Sequence, residues 1–322
     1  MVKLKIDLPD GFLDEEVRCD YRITKEMKQV WAVMLDMLVE IDRVCKKHNI
    51  KYFASSGTML GAIRHKGFIP WDDDIDIMMM REDYEKLCEV AADEFHSPYF
   101  FQTEWTDRGS LRGHAQLRNS MTTGILSSEY ERDLRINQGI FIDIFPMDAI
   151  PDNKEVFIKN MKKANRMKSL YYFVSSFTDR FYVPKNKNIK YYIRAVLHKL
   201  IPDVKNKFID YDKFYKKYEE LCCAANSENT KMIGLLGLHY NDKYLRYRED
   251  FTESIDVPFE FITIPVPKNY DHALKNVFGD YMKFVKGGSL HGGMILDSDV
   301  PYKEFLKNDS RKTFRSELYY HD

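Results

Sequence analysis

Ser55-Ser56-Gly57-Thr58-Met59-Leu60-Gly61, followed by Trp71-Asp72-Asp73-Asp74-Ile75-Asp76-Ile77-Met78-Met79-Met80, is the stretch that decides the fold. Asp74 and Asp76 stand two apart on a segment that reads as a strand, so their side chains share one face. Asp72 joins them if the extended backbone reaches that far back. Beyond Asp76 the segment is wholly apolar, as in a strand buried on both faces. Carboxylates gathered on one face repel unless a cation sits between them, and hard oxygen ligands suit Mg2+ or Mn2+. Upstream, the turn Ser56-Gly57-Thr58 opens a helix and offers backbone N–H groups and hydroxyls to an anion. A phosphate cradle beside a carboxylate pair is the arrangement of a phosphoryl-transfer site.

A plainer reading stands beside this one. An acidic run such as Asp72-Asp73-Asp74 is usually a solvated turn. Asp76 weakens that reading, because it sits within Ile75, Ile77 and three methionines, where an unpaired charge is costly to bury. Asp143, inside Ile140-Phe141-Ile142-Asp143-Ile144-Phe145, raises the same question and reads as a third ligand or as the base for an attacking hydroxyl. A buried ion pair is the structural alternative for each. Arg64, His65 and Lys66 read either as a solvated helix end or as phosphate ligands, and Arg118 shares that ambiguity. His291 is a loop ligand or a bystander, and Cys222-Cys223 reads as core.

Working outward, Met27, Val30, Trp31, Met34, Leu35, Leu38, Ile41 and Cys45 recur at helical spacing and predict a helix over 24–48, stopped by Asn49. Short strands are predicted at 51–55, 74–80, 99–103, 114–118 and 139–145, with helices over 58–64 and 81–94. From 153 to 223 the pattern turns helical, basic and rich in tyrosine, with helices near 153–176, 187–200 and 205–225. Strand signals return at 231–236 and 251–265, then a helix over 270–278 and a glycine-rich stretch. The organisation expected is an arm (1–23), a catalytic core (24–150), a helical segment for acceptor or specificity (151–230), a return to the core (231–300) and a tail (301–322).

Composition limits the partners. Forty-nine basic against fifty acidic residues in 322 leave a net charge of -1, which argues against a nucleic-acid binder. No run reaches the length of a transmembrane span, although the basic middle could rest on an anionic membrane surface. Five scattered cysteines without a CxxC pair point to a reducing, cytoplasmic setting. Aromatic residues form 14% of the chain, and many (Tyr171, Tyr172, Phe173, Tyr191, Tyr192, Tyr211, Phe214, Tyr215) fall in the helical segment. At those positions packing is the commoner role, and a specificity surface is the sharper one.

The string from Gly57 to Ile77, including Arg64-His65-Lys66-Gly67-Phe68-Ile69-Pro70-Trp71, closely resembles the signature of the LicD family. Gly139-Ile140-Phe141-Ile142-Asp143-Ile144-Phe145-Pro146-Met147-Asp148 resembles its second block. Ile255-Asp256-Val257-Pro258-Phe259-Glu260 and Val277-Phe278-Gly279-Asp280-Tyr281-Met282 resemble its third. The similarity covers about residues 25–150 and, patchily, 250–283. Gln116 and Phe284-Val285-Lys286-Gly287-Gly288 depart from the pattern.

The resemblance implies an α+β fold: a nucleotidyltransferase-like mixed sheet flanked by helices, with a helical insertion. It also implies transfer of phosphocholine, or a related phospho-alcohol, from CDP-choline or another CDP-alcohol to a sugar hydroxyl of a cell-surface glycan (lipopolysaccharide or teichoic acid type). Asp74 and Asp76 match the family's metal ligands and Asp143 its additional acidic residue, with Asp72 a further ligand candidate. Ser56, Gly57, Thr58, Arg64, His65, Lys66 and Arg118 are the candidates for the nucleotide and its phosphates, and Tyr281 and His291 are further site candidates. Two rival readings remain: delivery of an NMP from an NTP, and a non-catalytic glycan-binding protein on the same fold.

Overall fold

The computed structural model describes residues 1–130, 132–134, 136–175, 180–182, 189, 212–236, 245–285 and 293–308. A hairpin, β1 (Glu16–Arg18) and β2 (Tyr21–Ile23), leads into the long helix α1 (Lys25–His48). Its ends follow the sequence signals. Thr24 Oγ1 accepts from the Met27 N–H at 3.3 Å, and Asn49 stops the helix in the left-handed region at φ 52°. Lys46, Lys47 and His48 occupy the last turn, where a positive charge suits the helix dipole. The stripe predicted from spacing is buried from Val30 to Cys45, with Met27 partly covered.

Next come β3 (Phe53–Ala54), α2 (Ser56–His65), β4 (Asp76–Met80), α3 (Arg81–Glu94), β5 (Tyr99–Gln102), β6 (Ala115–Asn119), β7 (Thr123–Leu126) and β8 (Ile140–Ile150). Later elements are α4 (Lys154–Ser175), α5 (Asp212–Cys222), β9 (Met232–Gly234), β10 (Leu245–Tyr247), the hairpin β11 (Ser254–Phe259) and β12 (Ile262–Pro267), and α6 (Tyr270–Phe278). The main sheet has the order β10-β9-β8-β4-β3, with β6 and then β5 beside the first half of β8. β4 and β8 are parallel, and the other pairings of this sheet are antiparallel. The result is the expected α+β mixed sheet.

β8 is buried along its whole length and outruns the predicted 139–145 segment. Its second half is held by β9, more than 80 residues away in sequence, which no local pattern could announce. Asp148 lies fully buried there, because Arg81 grips both its oxygens at 2.8 and 2.6 Å. The expected arm is not loose, since Lys5 and Ile6 donate backbone N–H groups to Asp36. Beyond α6, β13 (Met294–Asp297) pairs with β7, and within the expected tail α7 (Tyr302–Asn308) buries Tyr302 and Leu306 against Ile125. The predicted helix 187–200, apart from Ile189, lies outside the described residues, as do Tyr191, Tyr192, Tyr211 and the remainder of the tail.

α4 and α5 pack together over a second apolar cluster that contains Phe157, Met161, Tyr171, Tyr215 and Tyr218, and it reaches Ile150 and Leu111. The described tyrosines of this segment are therefore mainly packing, and three of them have a further use set out below.

Candidate active site

Asp76 on β4 and Asp143 on β8 are directly opposite each other, and Gln116 on β6 is opposite Asp143 on the other side. Side chains in register across neighbouring strands project from the same face. One row across three strands thus carries Asp76, Asp143 and Gln116. Asp72 and Asp74 join Asp76 and Asp143 along a cavity of about 590 Å3. Asp73 is turned into the protein, yet one oxygen from each of Asp72, Asp73 and Asp74 lies within 4.8 Å of the others. Spacing had not singled out Asp73.

This concentration of charge shows in the acid strengths. Burial, then Asp74, Asp143 and Asp72, hold the Asp76 carboxyl well above the usual carboxylate range. Burial also acts to raise Asp143, but His114 and Gln116 outweigh it and hold that carboxyl low. His114 Nε2 lies 2.9 Å and Gln116 Nε2 2.6 Å from the same oxygen, Asp143 Oδ1. Burial pushes His114 below its ordinary range, and Arg112 adds to this while Asp143 opposes it. A donor set of hard oxygens whose members suppress each other's ionisation fits a divalent cation such as Mg2+.

α2 starts beside this row. Ser55 donates its N–H to the Asp76 carbonyl at 2.9 Å, and Asp76 donates its own N–H to Thr58 Oγ1 at 2.8 Å. Thr58 is buried and positions the backbone of Asp76, whereas Ser56 and Gly57 line the cavity. A Cβ on Gly57 would lie 2.9 Å from Asp72 Oδ2, so glycine is what lets that carboxylate approach the helix start. Ser56 itself has φ 41°, a strained value for a residue with a side chain.

The other sequence candidates divide. Arg64 lines the cavity, donates to the Tyr281 carbonyl at 2.8 Å and lies 5.6 Å over the Phe284 ring. His65 accepts from Arg64 Nε and is held at about 4 by burial, Arg64 and Arg18. Lys66 is exposed and ends α2 in the left-handed region. Neither His65 nor Lys66 is among the cavity-lining residues. Tyr281 lines the cavity, its hydroxyl donating to Asp271 at 2.9 Å. His291 lies outside the described residues.

Arg118, expected at a phosphate, is fully buried away from the cavity. Its guanidinium donates to Gln116 Oε1, Gln102 Oε1 and the Gly139 carbonyl, and burial lowers it to about 9. It is a strut behind the row. The charged and histidine residues of the cavity that sequence reasoning passed over include Arg112, His114, Arg246 and Lys283. The signal for His114 was present, since His114, Gln116 and Arg118 alternate on one face of a strand.

Arg112 and His114 arrive on a loop that the helical segment holds. Glu104, buried, accepts the Gly109 N–H at 2.8 Å, the Leu111 N–H, the Ser110 hydroxyl and the Tyr171 hydroxyl. The Tyr172 hydroxyl donates to the Leu111 carbonyl at 2.7 Å, and the Tyr215 hydroxyl donates to the Arg112 carbonyl.

Residues 49–185 match the family described as LicD/FKTN/FKRP, nucleotidyltransferase domain. That match agrees with the family which the motifs had indicated. The chain is 29% identical over 259 residues to the lipopolysaccharide cholinephosphotransferase LicD of Haemophilus influenzae, which covers 80% of this chain and 91% of that protein. It is also 46% identical over 94 residues to an uncharacterized protein of Rickettsia prowazekii, 29% of this chain and 31% of that one.

Proposed function

We propose that this protein is a metal-dependent phosphotransferase that moves phosphocholine, or a related phospho-alcohol, from a CDP-alcohol to a sugar hydroxyl of a cell-surface glycan precursor, releasing CMP. The observation that carries this reading is the row of Asp72, Asp74, Asp76 and Asp143 facing the start of α2 within one cavity. Phosphocholine as the group transferred, and lipopolysaccharide as the kind of acceptor, come from the name of the Haemophilus influenzae relative. Teichoic acid is a second acceptor of the same chemical type.

Asp74 and Asp76, with Asp72 and Asp143 beside them, would hold Mg2+ or Mn2+. When bound, that ion supplies charge neutralisation for the pyrophosphate. Ser56 and Gly57 present the start of α2 to the phosphates, and Arg64 adds positive charge at the cavity wall. Trp71, Phe278 and Tyr281 line the same cavity, and aromatic faces are the usual partners of a quaternary ammonium. No helix among the described residues is long and apolar enough to cross a membrane, which is compatible with work at the cytoplasmic face.

The test is a panel of CDP-alcohols assayed for Mg2+-dependent CMP release with a sugar acceptor. CDP-choline should be turned over, and D74A and D76A should not support the reaction. Pyrophosphate release from an NTP would favour nucleotidyl transfer. Absence of binding to both Mg2+ and nucleotide by calorimetry would favour the glycan-binding reading.

A further inference from the structure

We infer that Arg112 is a catalytic residue, whose guanidinium donates to the non-bridging oxygens of the phosphoryl group while that group passes from CMP to the sugar. This inference rests on the phosphotransfer reading above.

The backbone that delivers this arginine is held in an unfavourable shape. Leu111, buried, has φ 54°, a left-handed value that a bulky side chain rarely adopts. Three groups from elsewhere in the chain keep it there. Glu104 accepts the Leu111 N–H, and the hydroxyls of Tyr172 and Tyr215 donate to the carbonyls of Leu111 and Arg112. Strain kept in place by that many partners marks a segment whose shape is needed. The side chain it delivers to the cavity is that of Arg112.

That side chain is fixed without being used up. Its Nη1 donates to the Ser110 carbonyl at 3.1 Å, and its Nη2 donates to Glu129 Oε1 on the short helix after β7 (Ser127–Tyr130). A guanidinium holds further N–H bonds in the same plane, and Nε–H donates to no acceptor among the described residues. Glu129 uses one oxygen only, since its Oε2 is buried without a hydrogen-bond partner among the described residues. The pair is thus single-pronged and leaves open a fork that matches two oxygens of a phosphate. The Arg112 side chain keeps 9% exposure and lines the cavity, so it is not sealed from a ligand.

Position separates Arg112 from the other cations. Four Arg and Lys side chains among the described residues line the cavity, namely Arg64, Arg112, Arg246 and Lys283. Arg246 stands in register with Ile233 and through it with Ala149, about 20 Å along β8 from Asp143. Arg64 ends α2 and is engaged by the Tyr281 carbonyl and His65, and Lys283 is exposed. The charge of Arg112 bears on Asp143 and His114, whereas those that bear on Asp76 are the charges of Asp74, Asp143 and Asp72. Arg112 therefore stands at the β6 edge of the acidic row, and the start of α2 stands at its β4 edge beside Asp76. A phosphoryl group held over the row meets N–H donors on both sides.

In the step, the sugar O–H bond breaks and its proton passes to solvent water. The sugar oxygen forms a bond to the phosphorus that bears choline. The bond from that phosphorus to the oxygen bridging to CMP breaks, and its electron pair stays on CMP. Midway, negative charge is spread over the non-bridging oxygens, and a fork of donors already held beside them needs no rearrangement to meet it.

The experiment compares R112A, R112K and R112A/E129Q with wild type, using CDP-choline, Mg2+ and a sugar acceptor found by the panel above. The double variant is included because R112A alone strands the buried Glu129 carboxylate. R112A and R112A/E129Q should each lose about a hundredfold or more in kcat, with KM for CDP-choline changed far less. R112K, which keeps the charge but not the fork, should recover only part of the loss. Added guanidinium should restore part of the R112A rate. Donors with sulfur in place of one non-bridging oxygen then locate the contact. Sulfur on the choline-bearing phosphorus should slow wild type more than R112A, and sulfur on the CMP phosphorus should slow both alike. The reverse pattern would place Arg112 on the leaving group, and near wild-type kcat in R112A or in the double variant would reduce it to a support for the loop. Either result overturns the inference. Circular dichroism and Mg2+ titration identify a variant that has merely unfolded, in which case the other decides. A wild type inactive with every CDP-alcohol would overturn both readings, whereas active wild type with active R112A removes only this one.

Discussion

The strands β4, β6 and β8 and the helices α4 and α5 contribute to the cavity in different ways. The strands carry the row in register, so Asp76, Asp143 and Gln116 meet because the pleat puts them there. The helices carry no residue of the acidic row. Their tyrosine hydroxyls fasten the loop that delivers Arg112 and His114. That loop needs fastening, because Leu111 is held at φ 54°, an unfavourable value for a bulky side chain. A sheet can position a side chain by backbone ladder alone, whereas a loop needs side-chain hydrogen bonds to do the same.

The comparison breaks first if the acidic row is not the reactive part. D76N should abolish Mg2+-dependent CMP release, a loss beyond the roughly 10–100-fold typical of a group that only supports a metal ligand. It should also raise the thermal midpoint of the metal-free protein at neutral pH. The folded pKa of Asp76 lies above its unfolded value, so the metal-free chain loses stability as pH rises through that interval, and Asn removes the charge responsible. Calorimetry with a parallel activity assay checks both signs, and a D76N protein that is active or less stable would refute the account.

The helical side is probed by E104A, which strips partners from the Gly109 and Leu111 N–H groups and the Tyr171 hydroxyl. A loss of about 3 kcal/mol in urea unfolding is expected, since each buried donor left unpaired costs roughly 1–3 kcal/mol. Turnover should fall as well, because Arg112 and His114 lose their anchor. Unchanged stability would mean that the loop holds its shape without Glu104.

A smaller effect concerns protons at the row. A Mg2+ ion held at Asp76 would compete with the proton that burial and neighbouring carboxylates favour there, so affinity should rise with pH, by up to about tenfold per unit while one proton is released. Titrations in buffers of different ionisation enthalpy count that proton, and pH-independent affinity would place the ion away from Asp76. Smallest of all, Y215F removes one hydrogen bond to the Arg112 carbonyl and should cost about 1 kcal/mol. Its effect should be felt in kcat more than in the KM for the CDP-alcohol, which would separate loop positioning from donor binding.

Much of the α+β fold was readable because its signals are local. Thr24 and Asn49 mark the ends of α1, and the apolar run after Asp76 marks a strand buried on both faces. The alternation of Asp72, Asp74 and Asp76 survives in the cavity lining even though Asp72 and Asp74 precede the strand. The place of Arg118 was not legible in the sequence, for a physical reason. A cation at the end of a predicted strand looks available to a ligand, and only the burial of its side chain among glutamine and carbonyl oxygens shows that it serves as a strut. The tyrosines of α4 and α5 were ambiguous for a similar reason, since helical spacing reports which face is covered but not which loop the hydroxyls reach.

Sequence alone determined the kind of chemistry here, because the identity and period of residues 55–80 set a helix start against a strand of carboxylates. Tertiary structure decided which groups meet that row. Asp143 is 67 residues from Asp76 and becomes its neighbour through a parallel pairing, while Gln116 reaches Asp143 from a third strand and His114 from the loop just before that strand. Parallel pairing requires a long crossover, so the partner of a parallel strand cannot be read from the residues beside it. The burial of Arg118, the anchoring of the 104–114 loop and the contact of His114 with Asp143 exist only once those distant segments have packed.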